Sequence, residues 1–120
     1  MSANDRAIET LRREIAKLQT DGAAIARKDA GVRAKLASAM AAQAKAKTAS
    51  ALRSKQAEAS RLDKELIATS KNQADIATKI AKKQSSLSTK LVVQANEAKK
   101  ADAKVKKNQE QVSKAQEEAT

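Results

Sequence analysis

The side chains that could carry chemistry in this sequence are carboxylates, ammonium groups and guanidinium groups, because the chain contains no His and no Cys. The usual acid–base group, the thiolate nucleophile and the preferred transition-metal ligands are therefore missing. Asp63 and Glu65 are close in sequence, but this spacing puts them on different faces of a helix, whereas catalytic carboxylates must share a site. Neither glycine lies in a phosphate-binding loop motif. The residues thus predict a protein that is not an enzyme and that has no cofactor site and no metal site.

The longest stretch without any carboxylate lies between Asp29 and Glu58, and it carries six positive charges. The residues predicted there as possible polyanion contacts are Arg33, Lys35, Lys45, Lys47, Arg53 and Lys55. Such a patch can attract the phosphates of nucleic acid or of an anionic membrane, and the net charge of +11 favours the same partners. However, the chain has no aromatic residue on which bases could stack, and the apolar residues nearby are mostly Ala, which inserts weakly into lipid. Polyanion binding is therefore the alternative function, and a solvated lysine-rich surface is the simpler interpretation.

The elements that must position these charges are helices. Hydrophobic residues make up 41 % of the chain, yet none of them is aromatic and most are Ala. Pro is absent and Gly occurs only twice, whereas the commonest residues are strong helix formers. So few large apolar side chains can line a seam between helices but cannot fill a compact interior. The composition predicts an all-α coiled-coil protein.

Two stripes of apolar residues repeat at alternating steps of three and four, which is the spacing of a coiled-coil seam. The predicted seam residues are Ile8, Leu11, Ile15, Leu18, Ile25, Val32 and Leu36 in the first stripe, and Leu62, Leu66, Ile76, Ile80, Leu87 and Leu91 in the second. We expect these side chains to form the helix–helix interface, whether within one chain or between chains.

Polar residues interrupt both stripes at Asp29, Thr69, Gln73 and Gln84. They either fix the register between the helices or mark a loose, hydrated seam, and the hydrated seam is the preferred interpretation. Including Gln84 in the second stripe adds an extra step of four near Lys83. The local period then approaches eleven residues in three turns.

The boundaries follow from the segment between the stripes. Lys47-Thr48-Ala49-Ser50 contains the residues least suited to a helix interior. The sequence therefore predicts one helical module, with helix 1 over about residues 5–46, a break over about 47–50 and helix 2 over about 51–118.

A chain that folds back at this break forms a long antiparallel helical hairpin, which is the preferred fold. Opposed positions then have numbers that sum to 98, so Leu36 lies opposite Leu62 and the small Gly22 lies opposite the bulky Ile76. The end of helix 2, roughly residues 97–120, extends beyond helix 1, and its valines need another chain or domain to cover them. A single long helix in a parallel oligomer is the alternative.

The string AKLASAMAAQAKAKTASALRSKQAEASRLDKEL, followed by KNQADIATKIAKKQSSLSTKL, combines an Ala-rich helix, a short break with Ser and Thr, and a second long helix. Over roughly residues 10–95 this order resembles the Ala/Lys/Arg-rich N-terminal helical regions that precede TIR-like or other effector domains in bacterial signalling and immune-type proteins. The resemblance implies a role in self-association or sensing that brings downstream effector domains together. It implies no catalytic residue in this chain.

Together these features predict a non-enzymatic oligomerisation or scaffold module that associates with copies of itself and positions an attached effector or signalling domain. The chain stops without a helix-ending Gly, so we expect it to be the N-terminal part of a longer protein. Its first residues do not resemble a secretory signal, and no stretch approaches the ~20 apolar residues of a membrane span. We therefore expect a cytoplasmic location.

Overall fold

The chain folds into two α-helices. A computed structural model describes residues 1–119, and Thr120, the last residue of the predicted helix overhang, lies outside the described residues. Helix α1 spans Ala3–Ala44 and helix α2 spans Ala49–Ala119. Residues 1–119 contain no strand. The all-α prediction is confirmed, and a single uninterrupted helix is excluded by the loop at residues 45–48.

A reciprocal pair of hydrogen bonds begins α1. The hydroxyl oxygen of Ser2 accepts a hydrogen bond from the backbone N–H of Asp5 at 3.1 Å, and the Asp5 carboxylate accepts one from the backbone N–H of Ser2 at 3.2 Å. This capping arrangement satisfies two backbone donors that the first turn leaves without helical partners. Because Ser2 is the cap, the helix begins at Ala3, before the predicted start at residue 5.

The loop spans residues 45–48, so it is shifted by two residues toward the N-terminus from the predicted break at 47–50. The backbone N–H groups of Lys45 and Ala46 donate to the carbonyls of Ala42 and Gln43, both at 3.2 Å, and these tight i→i−3 bonds end α1. The hydroxyl oxygen of Thr48 then accepts a hydrogen bond from the N–H of Ala51 at 3.1 Å and caps α2. Since Thr48 caps the second helix, that helix begins at Ala49 rather than at residue 51.

The chain divides into two compact units. The loop-proximal unit is Glu14–Lys82, and the terminal unit combines Met1–Arg13 with the chain from Lys83 onward. Each unit contains a segment of α1 packed against an antiparallel segment of α2, so each has the hairpin arrangement that the sequence predicts.

The core of the loop-proximal unit contains Val32, Ala39 and Leu62, with Leu62 only 1 % exposed. Leu36, Ala59 and Leu66 pack around these residues. Farther from the loop, a Cβ added to Gly22 would lie 3.5 Å from Cγ2 of Ile76. Gly22 therefore faces Ile76, as the predicted register requires, and a methyl group at this position would be in ordinary van der Waals contact with Ile76.

In the terminal unit, two side-chain hydrogen bonds join the start of α1 to α2. The Asn4 side-chain amide donates to the carbonyl oxygen of Lys90 at 3.1 Å, and the Gln94 amide donates to Oδ1 of Asp5 at 2.9 Å. Ile8 is 3 % exposed between these segments. From Val92 to Ala119 every residue is exposed.

One detail of the second stripe differs from the prediction. Lys83 is half-buried, whereas Gln84 is exposed. The sequence of buried positions therefore continues with regular steps of three and four, and the predicted local eleven-residue period is wrong. A Lys side chain can occupy such a position because its methylene groups lie along the apolar surface while the ammonium group reaches solvent.

Candidate interaction surfaces

The predicted seam residues are all buried or half-buried. Ile8, Ile15, Val32 and Leu62 are buried, and Leu11, Leu18, Ile25, Leu36, Leu66, Ile76, Ile80, Leu87 and Leu91 are half-buried. This burial is reached within one chain, by packing of α1 against α2. A second chain therefore has to bind through other surfaces or against the half-buried edges of this seam, and the role of these residues between chains stays a prediction.

A polar network interrupts the seam of the loop-proximal unit. The Thr69 hydroxyl donates to Oδ1 of Asp29 at 2.8 Å, and Nε of Arg33 donates to Oδ2 of the same carboxylate at 2.7 Å. Thr69 is 2 % exposed and Asp29 is 9 % exposed. The Thr69 hydroxyl also lies 3.0 Å from the carbonyl of Leu66. The preferred interpretation, a loose hydrated seam, is wrong at these two positions, because they bind each other directly.

The network stabilises the ionised form of Asp29. The hydrogen bond from the Arg33 guanidinium lowers the pKa of the Asp29 carboxyl, the hydrogen bond from Thr69 lowers it further, and partial burial opposes both effects. Shifting the helices by one heptad would place the carboxylate among apolar seam residues without the Thr69 hydroxyl. Since an unpaired buried charge is costly, the pair favours one register over its neighbours.

The predicted polyanion contacts divide into two groups. Two cations are engaged with carboxylates: Arg33 binds Asp29, and Nζ of Lys55 lies 3.3 Å from Oε2 of Glu58. The remaining four, Lys35, Lys45, Lys47 and Arg53, are exposed near the loop or within it. Arg53 directs its Nε to the carbonyl of Ala49 at 3.4 Å. Binding of a polyanion by these residues stays a prediction, now carried by the second group.

Within residues 1–119, no cluster of three or more potential metal-ligating side chains occurs. None of the helices in this range has a stretch apolar enough to cross a bilayer.

Large apolar side chains are exposed on several surfaces. In the loop-proximal unit, Met40 is 58 % exposed and Ile67 is 70 % exposed. In the terminal unit, Val92, Val105 and Val112 are 61 %, 54 % and 57 % exposed. The analysis of the apolar stripes did not single out Ile67 or Val92. Each is a large apolar residue outside the three-and-four spacing, and that position already indicated a side chain outside the seam. The two valines near the end of α2 are the ones that the sequence predicted to need a covering partner.

The fold and these surfaces define a helical-hairpin module whose outer faces carry charge and a few apolar side chains. Comparison with known proteins adds a relative. The chain is 93 % identical over 104 residues to the NAD(+) hydrolase PdTIR of Paracoccus denitrificans (strain Pd 1222), and the match covers 87 % of this chain. It covers 35 % of that protein and lies in its N-terminal part, so the chain spans about a third of the length of its relative. The match supports the resemblance seen in the sequence, to a region that precedes a TIR domain.

No protein-family model matches the chain. No solved structure matches it either.

Proposed function

We propose that this chain is a non-enzymatic helical module that associates with copies of itself and so sets the spacing and orientation of an attached effector domain. The observation that carries the proposal is the match to the N-terminal part of an NAD(+) hydrolase, of which the chain covers 35 %. In such a protein, most of the sequence lies outside the matched region. We propose that the effector activity belongs to that remaining part and that the module acts in the cytoplasm.

The packing of the helices suits a positioning role. Apolar packing around Leu62 and the close approach of Gly22 to Ile76 fix the register along the seam. The Asp29–Thr69 hydrogen bond is a second, polar interaction that favours the same register. A helix pair held in one register is a stiff element, and a domain that continues from such a helix inherits its orientation.

The chemistry of the described residues also favours a positioning role over catalysis. Several of their carboxylates take part in surface ion pairs such as Arg61–Glu65 at 2.9 Å, in the cap of α1, or in the Asp29 network. Exposed pairs at helical spacing contribute modestly to stability and supply no reactive group. We therefore expect the isolated chain to release no nicotinamide from NAD(+). Release by the purified chain at a rate above a heat-treated sample would contradict this part of the proposal.

Self-association can be tested with a split reporter enzyme. Two pools of the chain carry complementary halves of the reporter after residue 120, each joined through a flexible Gly/Ser linker of about 25 residues. The linkers let the halves meet whichever way the paired chains point, so mixing the pools should restore reporter activity. A Leu62→Asp chain, in which a charge replaces a side chain that is 1 % exposed, serves as the control that disrupts the hairpin. The same samples are measured by sedimentation velocity. A wild-type chain that restores no activity and sediments as a monomer at submillimolar concentration would overturn the proposal.

The loop supports a second candidate function, binding of a polyanion. Lys45 and Lys47 lie in the loop at 45–48, and both side chains are exposed. Replacing both by Gln should weaken binding to heparin at low salt more than replacing Lys99 and Lys100, an equally charged pair that is remote from the loop in sequence. Counterion release predicts that binding falls steeply as salt rises. Equal losses from the two double variants would show general charge attraction and exclude a site at the loop.

A further inference from the structure

The end of α2 carries an apolar stripe that no described residue covers. We call residues 95–119 the tail, and each of them is exposed. Ala98, Val105, Val112 and Ala119 follow one another at steps of seven, so they share one face of the helix. The two valines border a shallow surface groove that also includes Asn108, Gln109 and Ser113. Most of the stability of a helix in a protein comes from packing of its apolar face, so burying the stripe would stabilise the tail.

We propose that this stripe binds the same stripe of a second copy of the chain, with the two tails antiparallel. The inference rests on the proposed function, because it names the surface and the orientation through which the module self-associates. Two features of the tail, its overall charge distribution and the residues that flank the stripe, both select the antiparallel orientation.

The tail has a basic half and an acidic half. Five lysines and one aspartate lie between residues 99 and 107, whereas Glu110, Glu117 and Glu118 outnumber Lys114 in the segment that follows. An antiparallel pair places the basic half of each copy beside the acidic half of the other. A parallel pair in register places like charge beside like charge, which is unfavourable at this spacing.

The residues at one edge of the stripe give the same orientation. Lys104, Gln111 and Glu118 each precede a stripe residue by one position, so they flank the same edge. In an antiparallel coiled coil this edge meets its own equivalent, which brings Lys104 beside Glu118 of the second copy and Gln111 beside Gln111. In a parallel pair it would meet the opposite edge instead, and Glu97 would approach Asp102 of the second copy.

The arrangement has a geometric consequence. Its two-fold axis passes close to Gln111, so Ala119 of one copy lies at about the level of Ala103 of the other. At 1.5 Å per residue, the ends of the two tails are about 24 Å apart and point in opposite directions. Domains attached after the tails would therefore lie at opposite ends of the pair rather than side by side.

Charge exchange in the 120-residue chain tests the orientation. Lys104→Glu and Glu118→Lys should each raise the dimer dissociation constant about tenfold, because two symmetry-related attractions become repulsions. The double variant should return to within about twofold of the wild type, since both pairs are re-formed with exchanged charges. Lys107→Glu is the matched control for Lys104→Glu: it makes the same change in net charge two positions from Val105, on the far side of the helix, and should raise the constant far less. All four chains are compared with the wild type by sedimentation velocity.

Cross-linking tests the contact directly, because the wild-type chain has no Cys. Mixing Lys104→Cys with Glu118→Cys chains should give a disulfide between the two different chains, whereas each alone should give far less. A parallel pair would hold these positions about 21 Å apart and give none. If the dissociation constant does not change in the charge-exchange variants and no mixed disulfide forms, the tail contact is overturned but self-association still holds. A chain that stays monomeric at submillimolar concentration overturns both.

Discussion

The Thr69 hydroxyl donates a hydrogen bond of 2.8 Å to Asp29 across forty positions of sequence, in the middle of an otherwise apolar seam. Both partners are buried, and every buried side-chain nitrogen and oxygen of the described residues has a hydrogen-bond partner. A helix pair with few large apolar residues has many nearly equivalent registers. The polar pair singles out one of them, since no neighbouring register re-forms it.

Removing the Thr69 hydroxyl should therefore destabilise the hairpin. Thr69→Val keeps the branched shape but removes the hydrogen bond to Asp29, and we expect a loss of about 1 kcal/mol in the free energy of unfolding, measured by urea denaturation. Thr78→Val is the matched control, because Thr78 is exposed and its hydroxyl binds only the carbonyl of Ala74 in its own helix, at 3.0 Å. Equal effects of the two substitutions would show that the contact with Asp29 contributes nothing.

The stability of the chain should depend on the ionisation of Asp29. The Arg33 and Thr69 hydrogen bonds lower the pKa of this carboxyl below its ordinary value of 3.8. A lowered pKa in the folded state means that the stabilisation is complete above that ordinary value and is lost as the pH falls through the lower, folded value. We expect wild type to melt at a higher temperature than Asp29→Asn at neutral pH, and the difference to narrow only below about pH 4.

Comparison with Asp29→Asn isolates the effect of the Asp29 carboxyl on stability, since the other carboxylates are common to both chains. These include Asp5, which takes part in the cap of α1. Circular dichroism melts from neutral pH to pH 2 provide the measurement. A difference in melting temperature that stays constant over the whole range would show that the ionised carboxylate is not the stabilising form.

The two glycines should respond differently to a large side chain. A Cβ at Gly22 would make ordinary contact with Ile76 at 3.5 Å, whereas nothing lies within 4 Å of a Cβ at Gly31. Gly22→Ala and Gly31→Ala should both stabilise the helix by up to about 1 kcal/mol. Gly22→Leu should be less stable than Gly31→Leu by about 1–3 kcal/mol, because only the former overfills the seam.

Urea denaturation of the four glycine variants tests the register as well as the packing. If Gly31→Leu proves the more damaging of the two leucine substitutions, then Gly31 rather than Gly22 faces α2 and the register is incorrect.

The sequence predicted the hairpin and its register because both depend on where large and small apolar residues fall. Gly22 stands opposite Ile76, and Leu36 and Leu62 share one cluster, as the constant sum of position numbers requires. The Asp29–Thr69 bond was not predicted, since a polar residue in a stripe signals either hydration or pairing. The available clue was that the same register sets these two polar residues opposite each other.

Lys83 and the helix ends show a second limit of sequence patterns. Spacing alone admits Gln84 or Lys83 as the next seam position, and the uncharged side chain of Gln favours Gln84. In the structure Lys83 is the half-buried one, and a long aliphatic stem suits a Lys to such a position. The first residue of each helix depends on which side chain caps it, and a segment rich in Ser and Thr offers several candidate caps. In the structure the hydroxyl groups of Ser2 and Thr48 form the capping hydrogen bonds.

The cluster around Leu62 should contribute most of the stability of the loop-proximal unit. Leu62 is 1 % exposed and lies with Val32 and Ala39, so Leu62→Ala leaves a cavity between two helices that cannot easily close. We expect it to lower the free energy of unfolding by about 2–5 kcal/mol. Leu52→Ala is the matched control: Leu52 lies on the same helix but is 36 % exposed, and the same deletion should cost less than about 1.5 kcal/mol.

Urea denaturation followed by far-ultraviolet circular dichroism gives the free energy of unfolding of both variants. Similar losses for the two substitutions would mean that the hairpin depends on helix propensity rather than on this packed seam, because only packing distinguishes the two leucines.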